Sequence, residues 1–189
     1  LHGGNIKQAI RKYNLSGKSF IDFSASINPL GFPKILKKII LDNLSVIPYY
    51  PDPDCKDIKE ALSQYLGVAG DNILIGNGSV ELIYLINLAL KPKRALIPVP
   101  TFSEYERAVL LAGGRCLFLR ASEESEFEIR VDRILKNLGK VNAVFICNPN
   151  NPTGFLFDRG ALMSLAMECE RKKIFLVIDE VFMDFVKEK

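Results

Sequence analysis

Residues 143–154 read AVFICNPNNPTG, an apolar segment followed by a polar, proline-rich loop. The five apolar residues 143–147 form a strand pattern without a polar face, which is typical of a sheet covered by helices on both sides. The following loop, 148–154, contains two prolines and three asparagines, which favour turns over helix. Because ligands bind beyond the carboxyl ends of strands in such sheets, we expect this loop to line a binding site.

Helix and strand patterns alternate along most of the chain. Apolar strand segments are predicted at residues 72–75, 95–99, 116–119, 143–147 and 174–178. Helices are predicted between them, at residues 54–67, 79–90, 103–112, 131–138 and 158–171. Alternation of this kind predicts an α/β fold, a three-layer αβα sandwich around a mostly parallel sheet.

The first fifty residues show a different pattern. Helices are predicted at 6–13 and 33–44, and a strand at 20–23. The run YYPDPD, residues 49–54, reads as a rigid linker because its prolines restrict the backbone. We therefore predict an N-terminal arm over residues 1–48 and a main domain over residues 49–189.

Composition excludes several classes of protein. The 189 residues are 48% apolar and 25% charged, as in a water-soluble globular protein. A net charge of +3, from 25 basic and 22 acidic residues, gives no electrostatic footprint for nucleic acid. The sequence shows no leader pattern and no long apolar run, so neither a signal peptide nor a membrane span is predicted. The four well-separated cysteines are typical of reduced thiols in a cytoplasmic protein.

The chain contains a single histidine, His2. A histidine-rich zinc site cannot be built from it, and a Ser-His-Asp triad would have to include this terminal residue. We therefore predict no metal site. If the protein is an enzyme, we expect the chemistry to be carried either by a bound cofactor or by the carboxylate and lysine side chains of the protein.

A glycine-containing turn, Gly76-Asn77-Gly78-Ser79, joins the strand predicted at 72–75 to the helix predicted at 79–90. Small residues let the backbone approach an anion, and the free N–H groups of the helix start point towards it. The dinucleotide-binding fingerprint is excluded because Glu81 occupies the third glycine position. An anion-binding turn and a plain tight turn fit these residues equally well.

Asp179 directly follows the apolar strand predicted at 174–178. A carboxylate buried at that position needs a partner. It can cap a helix, form a salt bridge or face a cationic atom of a ligand. No basic residue follows it until Lys187, which favours the ligand.

Taken together, these motifs resemble the class I/II aminotransferases, which are fold-type I enzymes that use pyridoxal phosphate (PLP). The residues that carry the resemblance are Gly76 to Ser79, Pro100-Thr101-Phe102, Asn148 to Gly154, and Asp179-Glu180. Within this group, the N-terminal strings HGGNI (2–6), DFSA (22–25) and INPLG (27–31) resemble the L-threonine-O-3-phosphate decarboxylases of cobalamin synthesis. The next most similar family is that of the histidinol-phosphate aminotransferases.

The resemblance implies a fold and a set of cofactor contacts. Residues 49–189 would be the N-terminal part of the large PLP-binding domain, and the arm would belong to a small domain. The roles are assigned as follows: the backbone of Gly78, Ser79 and Val80 holds the cofactor phosphate, Phe102 stacks on the pyridine ring, Asn151 hydrogen-bonds the phenolic oxygen, and Asp179 pairs with the ring nitrogen. Of these, Phe102, Asn151 and Asp179 are the predicted catalytic residues.

The resemblance also implies a phosphorylated amino acid as substrate and a homodimer as the assembly. His2 and the backbone around Gly3 would contact the substrate phosphate, in a region also lined by Ser26 and Asn28. A disordered terminus is the alternative for His2 and Gly3. Tyr50 would reach the cofactor phosphate of a neighbouring subunit.

The implied reaction is decarboxylation of O-phospho-L-threonine to (R)-1-aminopropan-2-yl phosphate. The alternative is transamination of a phosphorylated amino acid such as histidinol phosphate. Two positions depart from the family patterns: Ser26 stands where the decarboxylases usually have Asn, and Phe182 where many aminotransferases have Tyr. The Schiff-base lysine is expected beyond Lys189, since Lys187 and Lys189 follow Asp179 too closely. A folded fragment without catalysis is therefore the alternative from another class.

Overall fold

The computed structural model of the chain describes residues 3–15, 21–28 and 30–187. These residues fall into two compact units, Leu1–Cys55 and Lys56–Lys189. Each unit has its own set of elements, and the two are described separately.

The described residues of the first unit form two α-helices. Helix α1 spans Ile6–Tyr13, as predicted, and begins where the Asn5 side chain accepts a hydrogen bond of 3.0 Å from the Gln8 N–H. Helix α2 spans Lys34–Asp42, so the helix predicted at 33–44 is confirmed with an end two residues shorter. A 3₁₀ turn follows at Leu44–Val46. Of the strand predicted at 20–23, residue 20 lies outside the described residues, and residues 21–23 form no strand.

The second unit alternates helices and strands. Its helices are α3 (Lys56–Leu66), α4 (Ser79–Leu90), α5 (Glu104–Leu111), α6 (Val131–Leu135) and α7 (Arg159–Arg171). Its strands are β1 (Arg94–Val99), β2 (Arg115–Arg120), β3 (Ala143–Cys147) and β4 (Phe175–Asp179). Single 3₁₀ turns lie at Gly70–Asn72, Glu123–Ser125, Leu138–Lys140 and Met183–Phe185. Helix α7 begins after Asp158, whose carboxylate accepts a hydrogen bond from the Ala161 N–H at 2.9 Å.

The four strands form one parallel sheet in the order β2-β1-β3-β4. The chain leaves β1 towards β2 and then returns across β1 to β3, so its direction across the sheet reverses between β1 and β3. These two strands pair only near their amino ends, through Ala95 with Ala143 and Leu96 with Val144. Such a reversal opens a crevice at the carboxyl ends of the two strands, where ligands bind in open α/β sheets.

Two apolar clusters cover the two faces of the sheet. Alternate strand residues point to opposite faces, and helices α6 and α7 cover one face while α4 and α5 cover the other. The first cluster includes Leu96, Ile134, Val144, Ile146, Leu165 and Cys169. The second includes Ile83, Ala95, Ile97, Tyr105, Val109 and Phe145. This arrangement confirms the predicted three-layer αβα sandwich.

One predicted strand is wrong. Residues 73–76 follow the 3₁₀ turn Gly70–Asn72, and Ile73 has an extended backbone (φ −112°, ψ 121°). No strand in the described part of the chain pairs with this segment, and Leu74 is 63% exposed. An extended segment becomes a strand only through hydrogen bonds to a neighbour, so the described sheet has four strands instead of five.

Candidate active site

A cleft lies at the carboxyl edge of the sheet. Its volume is about 160 Å³, smaller than the roughly 300–1,000 Å³ of sites that enclose a drug-sized ligand. Its lining comes from the start of α4, the loop after β1, and the ends of β3 and β4 with the loops that follow them. The lining residues are Ser79, Phe102, Cys147, Asn151, Asp179, Val181 and Phe182.

The structure brings together four residues that the sequence proposed as cofactor ligands: Ser79, Phe102, Asn151 and Asp179. Gly78 and Val80 flank Ser79 as the cap and the second residue of α4, but they do not line the cleft. Only their backbone N–H groups were proposed as ligands, and the first N–H groups of a helix have no partner within the helix.

The other proposed residues belong to the first unit or lie outside the described residues. His2 is outside them. Tyr50 and Ser26 are exposed, and the Asn28 side chain accepts a hydrogen bond of 3.0 Å from the Leu30 N–H. Their contacts with a substrate or a neighbouring subunit stay predictions.

Gly3 and Gly4 are packed against residues 22–24. The Gly4 N–H donates to the Ser24 hydroxyl at 2.8 Å, and that hydroxyl donates to Asp22 at 2.6 Å. A Cβ atom at Gly3 would lie 1.5 Å from the Ser24 carbonyl oxygen, so only glycine fits there. The hydrogen bonds from Ser24 lower the pKa of Asp22. Sequence reasoning singled out the glycines but missed the roles of Asp22 and Ser24.

Both carboxylate oxygens of Asp179 accept hydrogen bonds. Oδ2 accepts from the Tyr105 hydroxyl at 2.8 Å, and Oδ1 accepts from the Val181 N–H at 3.1 Å. Within the described ranges, Asp179 forms no salt bridge and caps no regular α-helix. Among the described residues its partners are hydrogen-bond donors, Tyr105 and Val181, and pairing with a cationic ligand atom stays a prediction.

Tyr105 is a site residue that sequence reasoning missed. It lies three residues after Phe102 on α5, and its side chain is 1% exposed. Its ring stacks on Phe145 (centroids 5.8 Å apart, 28° between planes) and meets Phe102 edge-on (5.8 Å, 81°). A tyrosine in an apolar cluster needs a partner for its hydroxyl, which is the one available sequence signal, but the partner is 74 residues away in the chain.

Two polar side chains next to the Asp179 carboxylate, Tyr105 and Cys147, have raised pKa values. Burial raises the pKa of the Tyr105 phenol, and the adjacent Cys147 and Asp179 raise it further, so the phenol stays a neutral donor. Burial also raises the pKa of the Cys147 thiol. Neither side chain therefore brings a negative charge to this end of the cleft.

The three asparagines of the loop after β3 have different environments. Asn148 is buried and accepts a hydrogen bond from the Phe157 N–H at 2.8 Å. The Asn150 amide donates to the Pro100 carbonyl (3.0 Å) and the Thr153 hydroxyl (2.7 Å). Asn151 lines the cleft, and no hydrogen bond to its side chain occurs among the described residues. Two asparagines therefore hold the loop, while the third is available to a ligand.

The turn before α4 is shaped by a glycine and a carboxylate. Gly78 has φ 89° and ψ 164°, a conformation that is essentially restricted to glycine. The Asn77 N–H and side-chain amide both donate to Glu81, which folds back from the first turn of α4. These contacts set the direction in which the first N–H groups of the helix point.

The described residues contain no group of three His, Cys, Asp or Glu side chains that could hold a metal ion. In the same part of the chain, no helix has the length and apolar character needed to cross a membrane.

The fold is a parallel α/β domain with a cleft at the point where the strand order reverses. Residues 18–189 match the family described as aminotransferase class I and II. The chain therefore belongs to the class I and II aminotransferase family.

Individual relatives make the comparison more specific. The threonine-phosphate decarboxylase of Salmonella typhimurium is 41% identical over 187 residues, 98% of this chain and 51% of that protein. The structure of the histidinol-phosphate aminotransferase from Clostridium acetobutylicum superposes with a TM-score of 0.78 at 31% identity, over 88% of this chain and 48% of the other. The chain spans about half the length of the curated relatives it matches.

A third comparison concerns the fold. The histidinol-phosphate aminotransferase from Sinorhizobium meliloti, solved in complex with pyridoxal-5'-phosphate, has a TM-score of 0.77 at 22% identity. The match covers 85% of this chain and 44% of that protein. The same fold therefore supports a PLP site in another protein.

Proposed function

We propose that the whole protein is a PLP-dependent decarboxylase. It converts O-phospho-L-threonine to (R)-1-aminopropan-2-yl phosphate, a reaction of cobalamin biosynthesis, and this chain supplies the cofactor cleft. The observation that carries the proposal is that Ser79, Phe102, Asn151 and Asp179 line one cleft. The choice of reaction is supported by the 41% identity to a threonine-phosphate decarboxylase.

The lining of the cleft fits the chemical groups of PLP. The start of α4, at Ser79, offers N–H groups to the phosphate. Phe102 offers an aromatic face to the ring, and Asn151 an amide to the phenolic oxygen. Asp179 offers a carboxylate, without a charged partner in the described residues, to the ring nitrogen. When bound, the cofactor supplies an electron sink for the charge that develops on the substrate.

The chain's own residues prepare that chemistry. The Asp179 carboxylate holds a proton on the ring nitrogen, because a nearby negative charge favours the protonated form. Phe102 and Asn151 would hold the cofactor ring from its face and its edge, and so would orient a substrate bound to it. Val181 and Phe182 add apolar surface to the lining, which strengthens the charge interactions inside it.

The substrate phosphate is assigned to the N-terminal unit. We place it near His2, Gly3, Ser26 and Asn28, on the pattern that His2, Gly3 and Asn28 share with the decarboxylases; Ser26 departs from that pattern. A Cβ atom at Gly3 would collide with the Ser24 carbonyl oxygen, so the backbone of this segment requires glycine there. A phosphate held away from the reacting bond supplies binding energy that orients the substrate.

We further propose that the whole protein is a homodimer in which Tyr50 contacts the cofactor phosphate of the partner. The fully exposed Tyr50 side chain is compatible with this role. The test mixes subunits carrying Tyr50→Ala with subunits carrying Asp179→Asn. If each site combines Asp179 with the partner's Tyr50, a mixed dimer regains one intact site and activity returns. If Tyr50 acts within its own subunit, mixing restores nothing.

Transamination is the second candidate, favoured by the TM-score of 0.78 to a histidinol-phosphate aminotransferase. Product analysis of the whole protein with PLP separates the two. Decarboxylation releases carbon dioxide and an aminopropanol phosphate from O-phospho-L-threonine. Transamination of histidinol phosphate with 2-oxoglutarate gives a keto product and glutamate, and would contradict the proposal. Cofactor binding with neither reaction would favour a folded protein without catalysis.

We place the lysine that bonds the cofactor outside this chain. Lys187 is exposed and only eight residues beyond Asp179. The test is borohydride reduction of the PLP-loaded whole protein followed by peptide mapping. A modified peptide containing any one specific lysine of this chain would contradict this assignment.

A further inference from the structure

The hydroxyl of Tyr105 and the Asp179 carboxylate form a side-chain contact between α5 and β4. The donor–acceptor distance is 2.8 Å, and Tyr105 is 1% exposed. The contact lies directly behind the cleft, since Asp179 lines it and Tyr105 touches the edge of Phe102, which also lines it.

We propose that Tyr105 is a positioning residue: its hydroxyl fixes the Asp179 carboxylate in the orientation that pairs with a cationic ring nitrogen in the cleft. This inference rests on the proposed PLP site and adds a residue to it that does not line the cleft.

The hydrogen-bond capacity of Asp179 supports this role. An ionised carboxylate offers about four lone-pair positions on its two oxygens. The Val181 N–H takes one position on Oδ1 and the Tyr105 hydroxyl one on Oδ2. The two donors fix the rotation of the carboxylate and leave one position on each oxygen for a ligand. Without the hydroxyl, the Val181 N–H alone would leave the carboxylate free to turn.

The surroundings keep the donor in place. The Tyr105 ring is held by stacking on Phe145, within the cluster beneath α4 and α5. Because burial raises the pKa of its phenol, Tyr105 remains protonated and can only donate to an ionised Asp179. The same ring contacts Phe102, so one side chain supports both the proposed charge partner of the cofactor ring and the proposed stacking residue.

The test compares Tyr105→Phe with Tyr84→Phe in the whole protein. Tyr84, on α4, donates its hydroxyl to Glu104 at 2.7 Å, so the control removes the same atom from a comparable hydrogen bond away from Asp179. We expect Tyr105→Phe to lower kcat about tenfold or more, the effect of one lost hydrogen bond to a charged group, with KM within about twofold. Tyr84→Phe should leave kcat within about twofold.

A second readout does not depend on turnover. The absorption spectrum of bound PLP reports the state of its ring. Tyr105→Phe should shift the spectrum in the same direction as Asp179→Asn, and Tyr84→Phe should leave it unchanged. Equal spectra and equal kcat for the two tyrosine variants would overturn the inference and leave Tyr105 as a packing residue.

A double variant tests whether Tyr105 acts through Asp179. In the Asp179→Asn background, Tyr105→Phe should cost less than about twofold in kcat, because coupled residues are not additive. Additive losses would contradict the inference while leaving the PLP site intact. If the unaltered protein binds no PLP at all, the proposed function fails and this inference fails with it.

Discussion

The Thr101 hydroxyl donates a hydrogen bond of 2.7 Å to the Asn150 side-chain oxygen. This bond joins the loop after β1 to the loop after β3, across the point where the strand order reverses. The Asn150 amide returns a hydrogen bond to the Pro100 carbonyl. The crevice at the switch point is thus bridged by one asparagine, and the positions of Phe102 and Asn151 on either side depend on it.

Replacing Asn150 should therefore loosen the cleft. Asn150→Ala removes three side-chain hydrogen bonds, each with a net contribution of about 0.5–1.5 kcal/mol. We expect the free energy of unfolding to fall by about 2–4 kcal/mol, measured by urea denaturation. The control is Asn137→Ala, which removes hydrogen bonds to Arg133 and Lys140 near α6. Equal losses in the two variants would show that the hydrogen bonds of Asn150 contribute no more to stability than those of Asn137.

Gly78 gives a second prediction. At φ 89° and ψ 164° a Cβ atom is strained even though open space surrounds it, at a cost of about 1–3 kcal/mol. Gly78→Ala should lower stability by that amount or turn the first N–H groups of α4 away, weakening PLP binding in the whole protein. Calorimetry and a cofactor titration measure the two effects.

The matched control for Gly78 is Gly139→Ala. A Cβ atom at Gly139 also meets open space, and its φ lies outside the left-handed region. This variant should change neither stability nor PLP affinity by a measurable amount. If Gly78→Ala behaves like it, the turn before α4 does not depend on glycine.

Local pattern predicted most elements of the second unit, because apolar periodicity and capping residues are local signals. Helix α7 begins after Asp158 and β3 spans 143–147 as expected. The strand predicted at 72–75 failed because pairing depends on a neighbour that the segment itself does not specify. Its apolar pattern gave no information about that neighbour.

The candidate site was predictable only in part, for the same physical reason. Residues at or just beyond strand ends, such as Asp179 and Asn151, could be selected because parallel strands end at one edge. The Tyr105 contact to Asp179 and the Asn150 contact to Pro100 could not, because each depends on the order of strands and on side-chain directions. The separate roles of three neighbouring asparagines likewise became visible only in their hydrogen bonds.

The buried thiols give a prediction about reactivity. Burial on α7 raises the pKa of Cys169 to about 11, so at a pH of about 8 roughly one molecule in a thousand carries the reactive thiolate. Its alkylation by iodoacetamide should be at least about 100-fold slower in the native protein than in urea. Mass spectrometry of the labelled peptides measures both rates.

The partly exposed Cys55 is the internal comparison for Cys169. In the native protein Cys55 should be labelled much faster. Raising the pH towards 11 should accelerate labelling of Cys169, since the thiolate forms only as the pH approaches its raised pKa. Equal native rates for the two cysteines would mean that helix α7 does not protect its buried face.

The last prediction concerns Asp179 and tests the charge of its side chain while the volume of that side chain is kept. Asp158→Asn is the matched control: the substitution also removes one carboxylate, but Asn caps a helix about as well as Asp. We expect that control to retain kcat and PLP binding. A loss of activity in it would show that charge removal anywhere on this domain is harmful.

Asp179→Asn in the whole protein keeps the volume of the side chain, and Oδ1 can still accept from the Val181 N–H. The amide nitrogen then faces the Tyr105 hydroxyl oxygen and can donate to it, so packing at the end of β4 changes little. The substitution removes the negative charge that would hold a proton on the cofactor ring nitrogen, and with it the electron sink. We expect kcat to fall about 10²-fold or more, the roughly 2.7–4 kcal/mol of a lost electrostatic stabiliser. PLP should still bind, because the N–H groups at Ser79 are untouched, but its absorption spectrum should change. A near-normal kcat would mean that Asp179 merely joins β4 to α5 through Tyr105, and the cofactor assignment would lose its charged residue.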